Sequence, residues 1–596
     1  MKKIIQQKMN QALSILLVAL QILSCQPNNH QDVAAKMYSP QPQVAPEKPY
    51  PPLDTTLVGE YYHFVLHDIA LPLDTVKDRL IACNDMARQI VDFCGAKSKV
   101  ATPIACHLYA TSEQKGLTLN NDRQAHADFS NRTAHIVYNR FYQKNWTGVE
   151  NQLLIRDLLG NSPLKALEKG LSVYFTQDWQ KRGFRYWGAQ LHRSGNAPTL
   201  QELLDNDFFS SDSELIMSCM SGIWVDFLIE FLEKEAFLEL YRTGILPAEM
   251  DQHWARYLDV LVLQFPPIKL KSTVPDFSMG FNFAHEGYAI HDGYGSHKAA
   301  QSLQRQAEMG ANALAVVPYS FMRNANKPSP VPVVTRAGTE TDEGVIQDIL
   351  YARQLGMTGM LKPQIWLGRS WPGDVAMENE ADWQAFFTYY HRWIRHYALL
   401  AEIHEVEFFC VGVEFAKATL NREADWRQLI QRIRGLYSGN LTYAANWGEE
   451  FEKMAFWDEL DYIGLNCYYP LSSSETPGDG ELKLAFAKVL EKAKKISDQF
   501  NKPLLFTEIG YTSTATPWIT PHKDRTGAPY DGEAQKRCYA IVMEALQAEK
   551  DWCKGIFWWK FPSYLTYGGE GQTGFTPNGK PAENEIARWF QLYKVQ

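Results

Sequence analysis

The sequence predicts an α/β fold, a (β/α)8 TIM barrel over residues 271–596 that is preceded by an α+β domain over residues 53–265. In the barrel region, short and mostly apolar runs alternate with amphipathic helical segments, and strands of a parallel sheet covered by helices are apolar on both faces. Two of these runs end in a lone carboxylate, Glu414 and Glu508. The chain has 596 residues, a length typical of more than one domain.

Residues 1–24 have the composition of a secretory signal peptide. Two lysines come first, and residues 12–23 form an apolar segment that is short for a membrane span. The segment ends in the tetrapeptide ILSC, which resembles a bacterial lipobox. That resemblance implies cleavage before Cys25, lipidation of its thiol and anchoring to a membrane face after export. An ordinary signal peptide with an incidental cysteine is the alternative. Residues 25–52, rich in Pro, Gln and Asn, are predicted to form a disordered tether.

Composition narrows the classes of partner. The net charge of −9, without long runs of one sign, argues against a nucleic-acid partner. The chain has 17 Trp, 29 Tyr and 30 Phe, whose rings stack on sugars but also fill large cores. The eight cysteines beyond Cys25 lack the paired spacing of a metal cluster, so buried free thiols are expected. A disulfide between Cys83 and Cys94 stays open, because export permits it.

Two histidines near the start of the first domain are candidates for a metal site. Residues 59–67 read as a strand, on which His63 and His67 share a face but stand ~13 Å apart. No glutamate follows His63, so the metalloprotease pattern H-E-x-x-H is absent. A structural role is therefore predicted for both histidines.

The helical part of this domain resembles the gluzincin (peptidase MA-like) superfamily. Residues 167–174, LEKGLSVY, are similar to the segment in which a glutamate, here Glu168, ligates zinc, and residues 221–228 resemble the helix that follows. The zinc-binding helix would be residues 149–157, which contain no histidine. A site that lacks both imidazoles cannot hold catalytic zinc with three protein ligands. The resemblance implies a degenerate peptidase domain kept for packing or binding. An unrelated α+β domain is the alternative.

Eight strand-like runs can be counted in the second domain, with helical segments between them. The runs are residues 277–283, 313–317, 359–363, 408–413, 441–444, 462–466, 503–508 and 555–559. Glu414 follows the fourth run and Glu508 ends the seventh. The ends of barrel strands are where such folds keep their chemistry, and two carboxylates on one face are what glycoside hydrolysis needs. The alternative for both glutamates is a structural ion pair with a basic neighbour such as Arg369 or Lys417.

Five motifs that follow successive strands resemble clan A glycoside hydrolases, and within them glycoside hydrolase family 113. They are MLKP at 360–363, GVEF at 412–415, ANW at 445–447, IG at 463–464 with YYPL at 468–471, and TEIGY at 507–511. The resemblance implies that Glu414 is the acid/base and Glu508 the nucleophile of a retaining enzyme. The best known activity of that family is endo-acting β-1,4-mannanase. Val413 stands where the clan commonly has asparagine, so the usual asparagine contact to the sugar 2-hydroxyl must come from another residue or be absent.

Other polar and aromatic side chains are predicted on the same rim. Tyr468, after the sixth strand, is expected to donate a hydrogen bond that holds Glu508 ionised and aimed. Trp559, at the end of the eighth strand, is expected to form the apolar floor beneath the sugar. Further substrate contacts are expected from a set of candidates, Lys362, Asn446, Trp447, Tyr469, Trp366 and Trp371. For the tryptophans other than Trp559, packing of barrel against helices is the alternative.

The leading hypothesis is a membrane-anchored retaining β-glycosidase that acts on β-1,4-mannan with two carboxylates and without metal or cofactor. A first alternative keeps the chemistry and changes the substrate to another β-linked polysaccharide or oligosaccharide. A second is a non-catalytic glycan-binding lipoprotein, against which the presence of both glutamates, Tyr468 and Trp559 speaks. A third alternative is a peptidase whose active site lies in the first domain, and the absence of histidine from residues 149–157 argues against it.

Overall fold

The computed structural model describes residues 51–95, 102–176, 178–247, 250–269, 273–368, 370–524 and 527–595. The predicted signal peptide, Cys25 and all but the last two residues of the predicted tether lie outside this range. Within it, no helix combines the length and apolar character that crossing a membrane requires.

The first domain is built on a five-stranded mixed sheet in the order β1-β2-β3-β5-β4. Its strands are β1 (Thr56–Val58), β2 (Tyr62–His67), β3 (Ile104–Tyr109), β4 (Ala125–Asp128) and β5 (Thr133–Val137). Its helices are α1 (Leu73–Cys94), α2 (Ser112–Leu119), α3 (Val149–Leu159), α4 (Lys165–Tyr174), α5 (Phe184–Arg193), α6 (Leu200–Leu204), α7 (Asn206–Ser211), α8 (Glu214–Phe231), α9 (Lys234–Thr243) and α10 (Met250–Leu263). β2, β3 and β5 run parallel, and the edge strands β1 and β4 are antiparallel to their neighbours. The predicted α+β class is confirmed.

One face of this sheet carries half-buried histidines, because residues of β2 alternate between buried and half-buried positions. The ring of His67 stacks on His107 with centroids 5.3 Å apart, and its Nε2 lies 3.0 Å from Nδ1 of that residue. His63 accepts a hydrogen bond from the Gly59 N–H at 3.2 Å. Both histidines thus have protein partners. Among the described residues, no group of three or more His, Cys, Asp or Glu side chains is placed to hold a metal ion.

Helices α3, α4 and α8 form the centre of the first domain. α4 approaches α8 so closely that a Cβ on Gly170 would lie 2.3 Å from the carbonyl oxygen of Ser221. Glu168 lies 2.5 Å from the guanidinium of Arg156 on α3. The gluzincin resemblance implies that this glutamate stands at the position of a former zinc ligand. That carboxylate is held by an ion pair between two helices. The resemblance itself stays a prediction.

The second domain is a closed barrel of eight parallel strands in the order β6-β7-β9-β11-β12-β13-β14-β15. The strands are β6 (Ser278–Ala284), β7 (Ala313–Val316), β9 (Thr358–Leu361), β11 (Phe408–Val413), β12 (Asn440–Asn446), β13 (Tyr462–Cys467), β14 (Leu504–Ile509) and β15 (Cys553–Pro562). The helices are α11 (His297–Met309), α12 (Asp342–Gln354), α13 (Glu380–Ile403), α14 (Ala416–Asn421), α15 (Glu423–Arg434), α16 (Glu449–Lys453), α17 (Asp479–Phe500), α18 (Gly532–Leu546) and α19 (Pro581–Val595). The predicted (β/α)8 barrel is confirmed.

Burial explains why the strand runs are apolar throughout. Every residue of β11 and of β14 is buried, since one face of each strand meets the barrel interior and the other meets helices. All eight cysteines of the described chain are buried and unbridged, and Cys83 and Cys94 do not pair. The two domains meet at α13, where Arg395 donates to the Asn196 carbonyl and to Asp212, both at 2.6 Å.

A small two-stranded parallel sheet lies outside the barrel. It consists of β8 (Tyr319–Phe321) and β10 (Gln364–Trp366), which follow the second and third barrel strands and pair with each other. The two strands continue the chain outward from the carboxyl ends of β7 and β9. They therefore border the rim on which Glu414 and Glu508 lie.

Candidate active site

Glu414 and Glu508 meet at one mouth of the barrel. Glu414 directly follows β11, and Glu508 is the fifth residue of β14. Asn466 on β13 connects them, because it is the ladder partner of Glu508 and its Nδ2 donates to Glu414 Oε1 at 3.0 Å. Its Oδ1 accepts from the Thr507 hydroxyl at 2.9 Å, which fixes the amide orientation. The strand ends thus place both carboxyl groups beside the same side chain.

The Glu508 carboxylate is held by three donors. Oε1 accepts from the Lys362 ammonium and, at 3.0 Å, from Gln364 Nε2. Oε2 accepts from the Tyr468 hydroxyl at 2.9 Å. Lys362 is fully buried, and its ammonium also donates to Asn282 Oδ1 at 2.8 Å. Hydrogen bonds from three directions fix the carboxylate, and the buried cation balances its charge.

Glu414 has a different environment, in which both donors are neutral. Oε1 accepts from Asn466, and Oε2 accepts from the indole N–H of Trp371 at 2.7 Å. Burial and then the nearby charge of Glu508 raise the pKa of Glu414, whereas the hydrogen bonds from Asn466 and Trp371 and the charge of Lys362 lower it, and together they bring it to about 7. A carboxyl group with that pKa carries a proton near neutral pH, which suits a general acid.

The backbone at Glu414 lies in the left-handed region, with φ of +57°. That conformation costs a non-glycine residue roughly 1–2 kcal/mol, so its neighbours must hold it. The Glu414 N–H donates to the Ala444 carbonyl at 2.9 Å, and the Phe415 N–H donates to the Tyr443 hydroxyl at 2.7 Å. The Tyr443 hydroxyl in turn donates to Glu450 Oε1 at 2.8 Å.

Glu450 is a buried carboxyl group that ties the ends of β11 and β12 together. Oε1 also accepts from the Thr419 hydroxyl at 2.9 Å, and Oε2 accepts from the Asn446 N–H at 2.7 Å. Burial raises the pKa of Glu450 to about 8. Through Tyr443 this group fixes the peptide that follows Glu414, and through Asn446 it fixes the end of β12.

Three of the predicted rim residues, Tyr468, Lys362 and Trp559, lie close to Glu508 or to each other. Tyr468 donates to Glu508 as expected. Lys362 contacts the Glu508 carboxylate, a partner that the sequence did not indicate. Trp559 lies near Lys362, with its ring centroid 5.5 Å from the ammonium. Lys417, one of the basic neighbours considered for Glu414 and Glu508, instead bonds Asp374 at 3.0 Å, and the other, Arg369, lies outside the described residues.

The predicted contacts after β12 and β13 form a second group. Asn446 ends β12 and is half-buried. The rings of Trp447 and Tyr469 meet edge to face with centroids 5.3 Å apart. The Tyr469 hydroxyl donates to Glu452 at 2.9 Å, so its polar end is already engaged. Sugar contact by this group stays a prediction.

Several residues at the site were not assigned a role from the sequence. They are Asn282, Tyr319, Gln364, Asn466, Tyr443 and Glu450, and Trp371 was a candidate ring platform rather than a donor to Glu414. Asn282 and Asn466 stand near the ends of buried strands, which is the one local feature that marks them. Glu450 lies in a short helix full of glutamates, where nothing in the pattern distinguishes it from its exposed neighbour Glu449.

Comparison with known proteins gives one family match and several similar structures. The model of Glycoside Hydrolase Family 113 matches residues 281–594, which is more than half of the chain. A complex of a GH113 β-1,4-mannanase is 24% identical, covers 54% of this chain and 99% of its own, and has a TM-score of 0.46. The GH113 β-mannanase of Alicyclobacillus acidocaldarius with bound ManMIm is 27% identical, with coverage of 53% and 96% and a TM-score of 0.46. A glycoside hydrolase family 5 mannosidase of Rhizomucor miehei is 14% identical, with coverage of 55% and 94% and a TM-score of 0.36. Among curated proteins, none matches the chain.

Proposed function

The chain belongs to glycoside hydrolase family 113 and is a glycoside hydrolase, and we propose that it cleaves β-1,4-mannan with retention of configuration. The observation that carries the mechanism is the contrast between two neighbouring carboxyl groups. Glu508 is balanced by a buried ammonium. Glu414 has neutral donors and a pKa of about 7. Two carboxyl groups in unequal environments are the requirement for dividing nucleophilic and acid roles.

In the first step Glu508 attacks the anomeric carbon. The glycosidic bond breaks, and the proton of Glu414 moves to the leaving oxygen, so that a covalent glycosyl-enzyme and a shortened glycan result. The hydrogen bonds from Lys362, Gln364 and Tyr468 hold the attacking carboxylate in one orientation. Holding the reacting group in one orientation lowers the activation barrier, because less entropy is lost on the way to the transition state.

In the second step Glu414, now a carboxylate, takes a proton from water. The resulting hydroxide equivalent attacks the anomeric carbon, and the bond to Glu508 breaks, which returns both groups to their starting states. Two inversions at the same carbon retain the configuration. Asn466, which contacts Glu414 and pairs with Glu508 in the sheet, keeps the two groups in register through both steps.

Trp559 is proposed as the floor beneath the reacting sugar, since it lies beside Lys362 in β15, which continues three residues beyond it to Pro562 rather than ending at Trp559 as predicted. Asn446, Trp447 and Tyr469 are proposed to contact sugars on the other side of the mouth. Mannan is proposed as substrate because β-1,4-mannanase is the activity best known in the family. Another β-linked glycan would use the same two glutamates.

The substrate is tested with a panel of β-mannans, β-glucans, xylans and chitosan, with products separated by size. Preferred release of manno-oligosaccharides is expected, and preference for another glycan would reject mannan while keeping the chemistry. The stereochemistry is tested by ¹H NMR at early times. A β-anomer that appears first and then mutarotates is expected, and an α-anomer first would reject the retaining mechanism.

The first domain is proposed to be a degenerate peptidase-like domain without catalytic zinc that packs against the barrel. Its support is the absence of histidine from α3, the ion pair between Glu168 and Arg156, and the contacts of Arg395 with Asp212 and Asn196. Metal analysis of the purified protein tests this proposal. A stoichiometric, tightly held zinc ion would contradict it.

Anchoring is proposed through lipidation of Cys25 after export, with the membrane reached by the lipid alone. The support is the ILSC motif at the end of the apolar segment. Mass spectrometry of the mature N-terminus tests it. A diacylglyceryl-modified Cys25 is expected, and a mature chain that begins at another residue would contradict the proposal.

A further inference from the structure

The small sheet of β8 and β10 presents one face with four side chains. In its register Tyr319 pairs with Gln364, Ser320 with Ile365 and Phe321 with Trp366. Ser320 and Ile365 are buried, so the alternating residues on either side of them share the opposite face. An inner pair of side chains, Tyr319 and Gln364, is thus followed by an outer aromatic pair.

This face of the small sheet borders the mouth of the barrel at Glu508. Gln364 Nε2 donates to Glu508 Oε1 at 3.0 Å. Next to it, the phenol of Tyr319 has a pKa raised by burial and then by the charge of Glu508. Phe321 and Trp366 lie two residues farther along each strand, which is ~7 Å outward from the inner pair at the usual rise per residue.

The outer pair, Phe321 and Trp366, is more exposed than side chains that pack in a core. Trp366 is 57% exposed and Phe321 is 46% exposed, although they stand side by side on neighbouring strands. Two adjacent exposed aromatic rings that continue a catalytic cleft mark a ligand surface. Their flat apolar faces suit the C–H face of a pyranose ring, which is the chemistry of the proposed substrate.

We propose that Phe321 and Trp366 form a platform for the sugar unit next to the one that Glu508 attacks, on the non-reducing side of the cleaved bond. The side of the bond follows from the inner residues. Gln364 contacts the nucleophile, which bonds to the sugar that stays on the enzyme, whereas Trp371 contacts Glu414, which protonates the departing sugar. The platform rests on the proposed glycosidase function, and it favours substrates with at least two sugars before the cleaved bond.

Aryl glycosides test the platform, because their sugars occupy only the non-reducing side of the cleaved bond. The kcat/KM values of 4-nitrophenyl β-mannobioside and 4-nitrophenyl β-mannoside are compared for the wild type, Trp366→Ala, Phe321→Ala and Trp366→Phe. Trp366→Ala is expected to lower the bioside-to-mannoside ratio about three- to tenfold, the range for loss of one aromatic contact, because the bioside loses more than the mannoside. Trp366→Phe is expected to restore most of the ratio. Phe129→Ala, at an exposed aromatic residue of the first domain, is the matched control.

Three outcomes overturn the platform or the function on which it rests. An unchanged ratio in Trp366→Ala and Phe321→Ala would show that the rings do not contact substrate. An equal loss on both substrates would show that they support the fold of the mouth instead. A folded wild type that cleaves neither the aryl mannosides nor β-mannan would reject the mannan function, and the platform with it, whereas the first two outcomes leave that function intact.

Discussion

Buried or half-buried carboxyl groups occur in both domains, but their partners differ. In the first domain, Glu150 lies 3.6 Å from Arg79 with both side chains almost fully buried, and Glu168 lies 2.5 Å from Arg156. At the mouth of the barrel, Glu414 accepts hydrogen bonds from the amide of Asn466 and the indole of Trp371. Burial without a guanidinium partner favours the protonated form of a carboxyl group, and the pKa of Glu414 is raised to about 7. The difference separates an ion-paired carboxyl group from one that is placed to donate a proton.

Loss of the nucleophile is expected to have the largest effect. Glu508→Gln keeps the shape of the side chain but cannot form the covalent intermediate, so kcat on mannan is expected to fall roughly 10⁴- to 10⁶-fold. Activity is measured by reducing-end release, and circular dichroism controls for folding. Turnover within tenfold of the wild type would remove Glu508 from the mechanism.

Loss of the acid is expected to depend on the leaving group. Glu414→Gln is expected to lower kcat on mannan roughly 10²- to 10⁴-fold, because proton donation to the departing sugar is lost. In kcat/KM, which reports formation of the glycosyl-enzyme, the loss is expected to be much smaller with 2,4-dinitrophenyl β-mannobioside, because its leaving group needs no proton. Azide is expected to accelerate that reaction by replacing water in the second step. An equal loss of kcat/KM on both substrates would contradict the acid role.

The next largest loss of activity is expected from removing the hydrogen bond that holds the left-handed backbone at Glu414. Tyr443→Phe removes the hydroxyl that accepts from the Phe415 N–H, and kcat on mannan is expected to fall about 10- to 100-fold with little change in KM. The loss is again expected to be smaller with the dinitrophenyl substrate.

Tyr437→Phe is the matched control for this variant. Tyr437 is a buried tyrosine whose hydroxyl donates to the Val406 carbonyl at 2.6 Å, just before β11 and so at the opposite end of that strand. Activity near that of the wild type is expected from it. Equal losses in both variants would assign the effect to general destabilisation.

The pH dependence sharpens the contrast between the two kinds of carboxyl group. The pKa of Glu414 is about 7, so the acid is protonated below that pH and activity is expected to fall as the pH rises through it. The descending limb of kcat/KM on mannan against pH measures this value. In Glu508→Gln the neighbouring charge is gone, so the pKa of Glu414, followed by NMR of labelled carboxyl carbons, is expected to drop. An unchanged value would exclude coupling of the two groups.

The smallest effect on activity is expected in the first domain. Glu168→Gln removes the ion pair with Arg156, and kcat is expected to stay unchanged. Because both side chains keep some contact with solvent, the free energy of unfolding is expected to fall by no more than about 1 kcal/mol. Thermal denaturation and the mannan assay measure the two quantities. A loss of activity without a loss of stability would connect this domain to catalysis.

Much of the barrel and its central pair of residues was predictable because the relevant information is local. A strand buried on both faces must be apolar along its length, so the runs before Glu414 and Glu508 are visible without coordinates. The C-terminal end of a barrel strand also has a fixed location at one mouth. Tyr468 was predicted by the same reasoning, since it directly follows β13.

The partners of these residues were not predictable, because they come from distant parts of the chain. Lys362 stands 146 positions from Glu508, and Asn466 stands 52 positions from Glu414. Glu450 and Glu449 are neighbours in one short helix, yet one is buried against Tyr443 and the other is exposed. Loop conformation and helix orientation decide such contacts, and neither can be predicted from the local pattern of apolar and polar residues.

The sequence by itself determined the α/β barrel and the strand ends that carry Glu414 and Glu508, because periodic burial is recorded residue by residue. Only the tertiary structure decided which carboxyl group receives a buried cation and which receives neutral donors. The reason is that a pKa depends on desolvation and on charges within a few ångströms, and those neighbours are assembled by folding.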